Sequence, residues 1–179
     1  QLEVYAGGDV LEDFSLIAVG GYGRGELNPL SDIDLLFLLS EKTQPLTKTF
    51  IQDVLSVIWG FGMEIGHSSR TIKDCVKFAQ EDLTIKTSMI ETRFLIGNRI
   101  TYDKFCNSIQ KKVLQKYVKQ FLNSKLKEKY AGYGHSGGVV CHPEPDIKNG
   151  PGGLGDYQSA LWATAVREGG NSLREINEE

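Results

Sequence analysis

The stretch Ile17–Leu39, IAVGGYGRGELNPLSDIDLLFLL, constrains this chain more than any other. Ile17–Val19 is apolar and largely β-branched and breaks into Gly20-Gly21, the pattern of a buried strand ending in a tight glycine turn. Ser31–Leu39 reads as a second strand, on which Asp32 and Asp34, two residues apart, share one face. Two neighbouring carboxylates repel, and each is costly unless a cation lies between them. The cation that all-oxygen ligands favour is a hard divalent ion, so the pair is expected to seat Mg²⁺. Gly20, Gly21, Gly23 and Gly25 let backbone N–H groups approach an anion closely, and Arg24 adds a positive fork. A phosphate cradle beside a metal seat is equipment for moving a group from a metal-bound triphosphate, where catalysis is positioning and charge neutralisation.

Spacing excludes the competing glycine motifs. A Walker loop requires Gly-Lys-Ser/Thr, whereas Gly25 precedes Glu26; the dinucleotide fingerprint counted from Gly21 needs a sixth-place glycine where Glu26 stands. The pattern present is Gly-Gly, ten residues, then Asp-Ile-Asp on a strand. It resembles the signature of the polymerase-β-like nucleotidyltransferases. That resemblance implies an α+β fold, a small mixed sheet flanked by helices, followed here by a helical domain.

Across its 179 residues the chain is 40% hydrophobic and 24% charged, with a net charge of −3 that offers no general attraction to nucleic acid or acidic membranes. No apolar run approaches the roughly 18 residues of a membrane helix and no signal-peptide pattern opens the chain, so a cytoplasmic location is expected. Cys75, Cys106 and Cys141 are odd in number and far apart, the usage of free thiols. His67, His135 and His142 lack metal-ligand spacing, and Cys141-His142 near His135 has no further cysteine pair to complete a zinc site.

Gln1–Asp13 carries little periodicity and reads as the interior of a longer polypeptide. Strands are expected at Phe14–Val19 and Asp32–Leu39, a crossover helix at Thr47–Trp59 and a third strand at Met63–Arg70. In the polymerase-β-like fold the strand after this helix often brings a further carboxylate. Glu64 is the acid it offers, and Glu91 is the alternative. Thr71 and Asp74 have the spacing of a capping pair. Helical pattern then runs through Asp82–Ile96 to Gly97-Asn98, and a long helix is expected from about Asp103 to Tyr130, with Phe105, Ile109, Val113, Tyr117, Phe121 and Leu126 buried. Its lysines face solvent without interleaved aromatics, which argues against nucleic acid as a partner. Ala131–Cys141 is glycine-rich and reads as a mobile loop, and Pro151-Gly152-Gly153 places a glycine turn at a helix N-terminus with Lys148 upstream, a setting that attracts anions.

Taken together, GGYGRGELNPLSDIDLLFL, GHSSRT, DLTIKTSMIETRFLIG and PDIKNGPGGLGDYQ resemble, in order, the N-terminal region of the bacterial [protein-PII] uridylyltransferase/uridylyl-removing enzymes. The resemblance implies a nucleotidyltransferase domain over residues 1–100 and a helical domain over 101–179 that begins a longer C-terminal part. In the full-length family an HD-type hydrolase domain and paired ACT domains follow, and the sequence in hand contains neither. It also implies transfer of UMP from UTP to a tyrosine of a PII signalling protein in nitrogen regulation. Asp32 and Asp34 would then hold Mg²⁺, Gly20 and Gly21 would meet the β- and γ-phosphates, and Ser31, Arg24 and Lys148 would assist. His67, Ser68 and Arg70 match the family segment without disclosing a role. Gly155 stands where the family usually has arginine, which leaves two other readings open: adenylylation of a protein from ATP, and a catalytically silent nucleotide-binding regulator.

Overall fold

The computed structural model describes residues 8–29, 31–135 and 146–168. Cys141, His142 and the side chain of His135 lie outside the described residues, as does most of the glycine-rich stretch expected to form a loop. Its beginning, up to His135, extends the preceding helix instead.

Four strands form one mixed sheet in the order β3-β2-β1-β4. After a short helix α1 (Gly8–Glu12), β1 (Phe14–Val19) and β2 (Ile33–Leu39) pair antiparallel, with Ile17 opposite Leu36. Between them the chain closes a single helical turn, α2 (Gly20–Arg24). Helix α3 (Pro45–Gly60) then crosses over, and β3 (Ile65–Thr71) joins β2 in parallel. Proline opens α3 where its missing N–H costs nothing, and Asp13 caps the same end, accepting from the Gln44 N–H and the Thr47 hydroxyl, both at 3.0 Å.

β1 and β2 read as near-continuous apolar runs because both faces of the sheet are covered. Phe14, Leu16, Leu35 and Phe37 pack under Ile51, Val54 and Leu55 of α3. Ile17, Leu36 and Leu38 point the other way, into a cluster with Cys75, Ala79, Phe105, Ile109, Val113, Phe121, Ala165 and Val166. Helices α4 (Ile72–Glu81) and α5 (Leu83–Ser88) begin that second layer. Thr71 and Asp74 form a reciprocal capping box at the start of α4. Thr71→Ala should lower stability by about 1 kcal/mol, read as a shifted midpoint in urea with an unchanged slope.

Two expectations fail here. Asp82–Ile96 is not one helix: after α5 the chain turns and Thr92–Gly97 becomes β4, antiparallel to β1. Leu83, Ile90 and Phe94 do share a core, as a helical stripe would. Periodicity over so short an apolar run cannot separate the alternatives, and the open edge of β1 decides in favour of a strand. Gly97, at φ +104°, ends it so close to β1 that a Cβ would fall 2.3 Å from the Phe14 carbonyl oxygen. The long helix, in turn, starts earlier and is interrupted. Asn98 caps α6 (Arg99–Ile109), a π turn follows at Gln110–Leu114 and a 3₁₀ turn at Gln115–Tyr117, and α7 spans Val118–His135. The slip in register keeps Phe105, Ile109, Val113 and Phe121 in the core while Leu126 emerges half-exposed. Helix α8 (Leu154–Glu168) packs along α7 and adds Ala165 and Val166 to the same cluster. No helix among the described residues is long and apolar enough to cross a membrane.

Candidate active site

The acid pair stands where β2 begins. Asp32 is exposed just ahead of the strand, and Asp34 is half-buried on it. On β1's side, Gly20 adopts φ +60°, a conformation that favours glycine, and a Cβ there would meet the Asp34 carboxylate at 3.2 Å. On β3's side the parallel register sets Gly66 beside Asp34, and a Cβ at Gly66 would fall 2.3 Å from its Oδ1. The Asp34 carboxylate therefore lies in a slot between two bare backbones. Burial, and secondarily the charge of Asp32, push its pKa up from the ordinary 3.8. Among the described residues neither aspartate forms an ion pair or a hydrogen bond through its carboxylate. This is a donor set of two adjacent, uncompensated carboxylate groups, and it fits a divalent cation.

The glycine turn beside the pair is tightly built. Gly25, at φ 79°, caps α2 through bonds from its N–H and that of Glu26 back to Tyr22 and Gly21. Gly23 is buried against the Glu91 and Ala18 carbonyls. Arg24 pairs with two acids: its guanidinium lies 2.5 Å from Oε1 of the buried Glu91 and 3.0 Å from Glu26. The same Glu91 oxygen accepts the indole N–H of Trp162 at 2.5 Å. Burial pushes the Glu91 carboxyl up and Arg24 opposes it.

Of the other residues singled out from sequence, Ser31 is exposed next to Asp32. Glu64 is exposed immediately before β3; its carbonyl accepts the Ile33 N–H, and register places it level with Asp32. No three acidic, histidine or cysteine side chains converge in a metal-binding group among the described residues. Lys148 lies exposed in the loop before α8. The chain itself satisfies the donors at that helix terminus. Leu154 and Gly155 N–H bond to the Ile147 and Lys148 carbonyls, and Asp156 accepts from Gly152 N–H at 2.7 Å while pairing with Lys129 at 3.0 Å. A Cβ at Gly155 would stand 3.0 Å from the Lys148 carbonyl, so glycine suits this turn. Glu91 as an internal tie and Trp162 as its partner were not expected. The available signal was an acid set in the run Met89-Ile90-Glu91-Thr92, where burial demands a partner.

The profile of the nucleotidyltransferase domain family matches residues 8–127, and that described as GlnD PII-uridylyltransferase matches residues 120–179. The chain is 39% identical over 167 residues to a bifunctional uridylyltransferase/uridylyl-removing enzyme of Rhodospirillum rubrum, covering 93% of this chain and 18% of that protein. It is 38% identical to the Phenylobacterium zucineum enzyme of the same description over 92% of this chain and 18% of the relative. The Haemophilus influenzae enzyme is 39% identical over 90% of this chain and 19% of the relative. The chain thus spans less than a fifth of the length of these relatives. With a glycine turn, an Asp-x-Asp strand and a mixed α+β sheet in the arrangement that the matched profile covers, the chain belongs to the nucleotidyltransferase domain family, on the branch that resembles bacterial uridylyltransferase/uridylyl-removing enzymes.

Proposed function

We propose that this domain transfers UMP from UTP to a tyrosine of a PII-type signalling protein and releases pyrophosphate. The observation that carries the proposal is the slot at Asp34. A carboxylate wedged between Gly20 and Gly66, next to a second carboxylate and with no protein cation on either, is a costly arrangement that a metal-bound triphosphate would relieve. The choice of UTP and of a PII protein rests on the likeness to the uridylyltransferase relatives and to the PII-uridylyltransferase family.

Asp32 and Asp34 would hold Mg²⁺, which when bound supplies charge neutralisation at the reacting phosphate and the leaving pyrophosphate. Backbone N–H groups at Gly20 and Gly21 would take the β- and γ-phosphates, where the missing side chains allow close approach, with Ser31 and Arg24 as helpers. Glu64, level with Asp32, is a further candidate ligand, and Lys148 a candidate contact for the nucleotide. The tyrosyl oxygen bonds to the α-phosphorus as the bond to the bridging α,β-oxygen breaks. The phenolic proton passes to solvent. The work would take place in the cytoplasm and needs neither nucleic acid nor membrane.

The absence of three converging acidic groups among the described residues favours one other reading, a nucleotide-binding regulator without turnover. Incubating the intact protein with each of the four α-labelled triphosphates and a PII-type protein separates the cases. Label is expected from UTP on wild-type acceptor and none on an acceptor whose target tyrosine is phenylalanine. Label from ATP alone would replace uridylyl by adenylyl transfer, and calorimetric binding with no pyrophosphate released would establish the silent regulator.

A further inference from the structure

Glu91 joins the glycine turn to the last helix. It directly precedes β4, its side chain is only 4% exposed, and its backbone carbonyl packs against Gly23. Through Oε1 it holds Arg24, the last residue of α2, and the indole N–H of Trp162 on α8. Two residues on, Arg93 donates to the Tyr22 carbonyl at 2.8 Å and stacks over the Tyr22 ring. The opposite side of this tie is also fixed, since Lys125 of α7 sits 4.7 Å from the centre of the Trp162 ring. The turn and Glu91 fall within the residues matched by the nucleotidyltransferase profile, whereas Trp162 belongs to the stretch matched by the PII-uridylyltransferase profile, and Lys125 lies where the two overlap.

We propose that Glu91 is a positioning residue which, by joining Arg24 to Trp162, transmits the seating of α8 to the backbone donors of the Gly20–Arg24 turn and so sets affinity for the triphosphate. The inference rests on the nucleotidyltransferase reading of that turn. A five-residue helical turn with glycine at three positions has little stiffness of its own. Its shape is set by what grips Tyr22, Gly23 and Arg24; besides the local bonds of Gly25 and Glu26 and the packing against Ala18, those grips come from residues 91–93. Arg24 reaches Glu91 with its guanidinium, and this ion pair braces the end of the turn. Glu91 touches neither acid of the metal pair, so its effect is on how the triphosphate is held and not on the bond that breaks.

The test uses the intact protein, with Trp162→Phe, which keeps a ring under Lys125 but removes the N–H donor, and Glu91→Gln, which keeps volume but removes the charge. Both are expected to raise KM for the triphosphate roughly fivefold with kcat within about twofold. The double variant should be no worse than Glu91→Gln alone, because both changes cut one connection. Melting temperature is recorded alongside. A folded Trp162→Phe or Glu91→Gln protein with unchanged KM, or one that loses only thermal stability, overturns the inference. Asp34→Asn run in parallel tells the two levels apart. If Asp34→Asn turns over normally, the reading of the site has failed; if it is dead while both tie variants keep their KM, only the positioning role has failed.

Discussion

Asp34→Asn, and equally Asp32→Asn, is expected to reduce nucleotidyl transfer by on the order of 10³-fold or more, while Asp34→Asn leaves the fold intact and raises the melting temperature in metal-free buffer. The two effects have one cause. Asp34 sits between Gly20 and Gly66 with Asp32 nearby, and its pKa in the folded protein is raised by burial and then by that neighbour. A carboxyl raised on folding favours the protonated form. Its contribution to stability is present below the ordinary value of 3.8 and is lost as pH rises through the raised folded value. At neutral pH the ionised pair therefore opposes folding, and the isosteric amide relieves it. Mg²⁺ should reverse the order, raising the melting temperature of the wild type and leaving Asp34→Asn unmoved. A metal titration followed by thermal unfolding reads this directly. An equal response to Mg²⁺ in both proteins, or undiminished transfer by the amide, would remove Asp34 from the metal site.

Gly23→Ala should cost about 3 kcal/mol of stability or more, a large share of the total for a domain of ordinary stability. The added Cβ would fall 2.0 Å from the Glu91 carbonyl oxygen and 3.0 Å from that of Ala18, and both obstacles are backbone within the β1–β4 edge of the sheet. Neither can swing aside as a side chain would. Gly60→Ala is the matched control. It lies at the end of α3 with nothing within 4 Å of its Cβ position. There alanine should be neutral or stabilise by up to about 1 kcal/mol through loss of unfolded-state freedom. Urea denaturation of the two variants compares them on one scale, and similar midpoints for both would contradict the packing described at Gly23.

The contrast between the two glycines shows how far sequence carries. Spacing alone marked Gly20–Gly25 as a turn and Asp32 and Asp34 as a same-face pair, and the strands on either side were legible from their apolar runs. It did not reveal that Asp34 would be flanked by Gly66, since that neighbour depends on the parallel register between β2 and β3. Nor did it separate a helix from a strand at Thr92–Gly97. Arg24 read from sequence as a positive fork for phosphate, and its pairing with Glu91 and Glu26 had no signal in the spacing.

What the chain alone determined were features closed over a few residues: the glycine turn, the nearness of Asp32 to Asp34, the capping pair Thr71–Asp74 and the crossover helix. Local backbone geometry and side-chain period leave such features few alternatives. What only the tertiary structure decided were the fourth strand, the π turn that keeps Val113 and Phe121 in the core, the filled N-terminus of α8 and the Arg24–Glu91–Trp162 tie. Each depends on a partner far along the chain. The energy of an open strand edge, or of an acid buried without a cation, has no expression in the residues beside it.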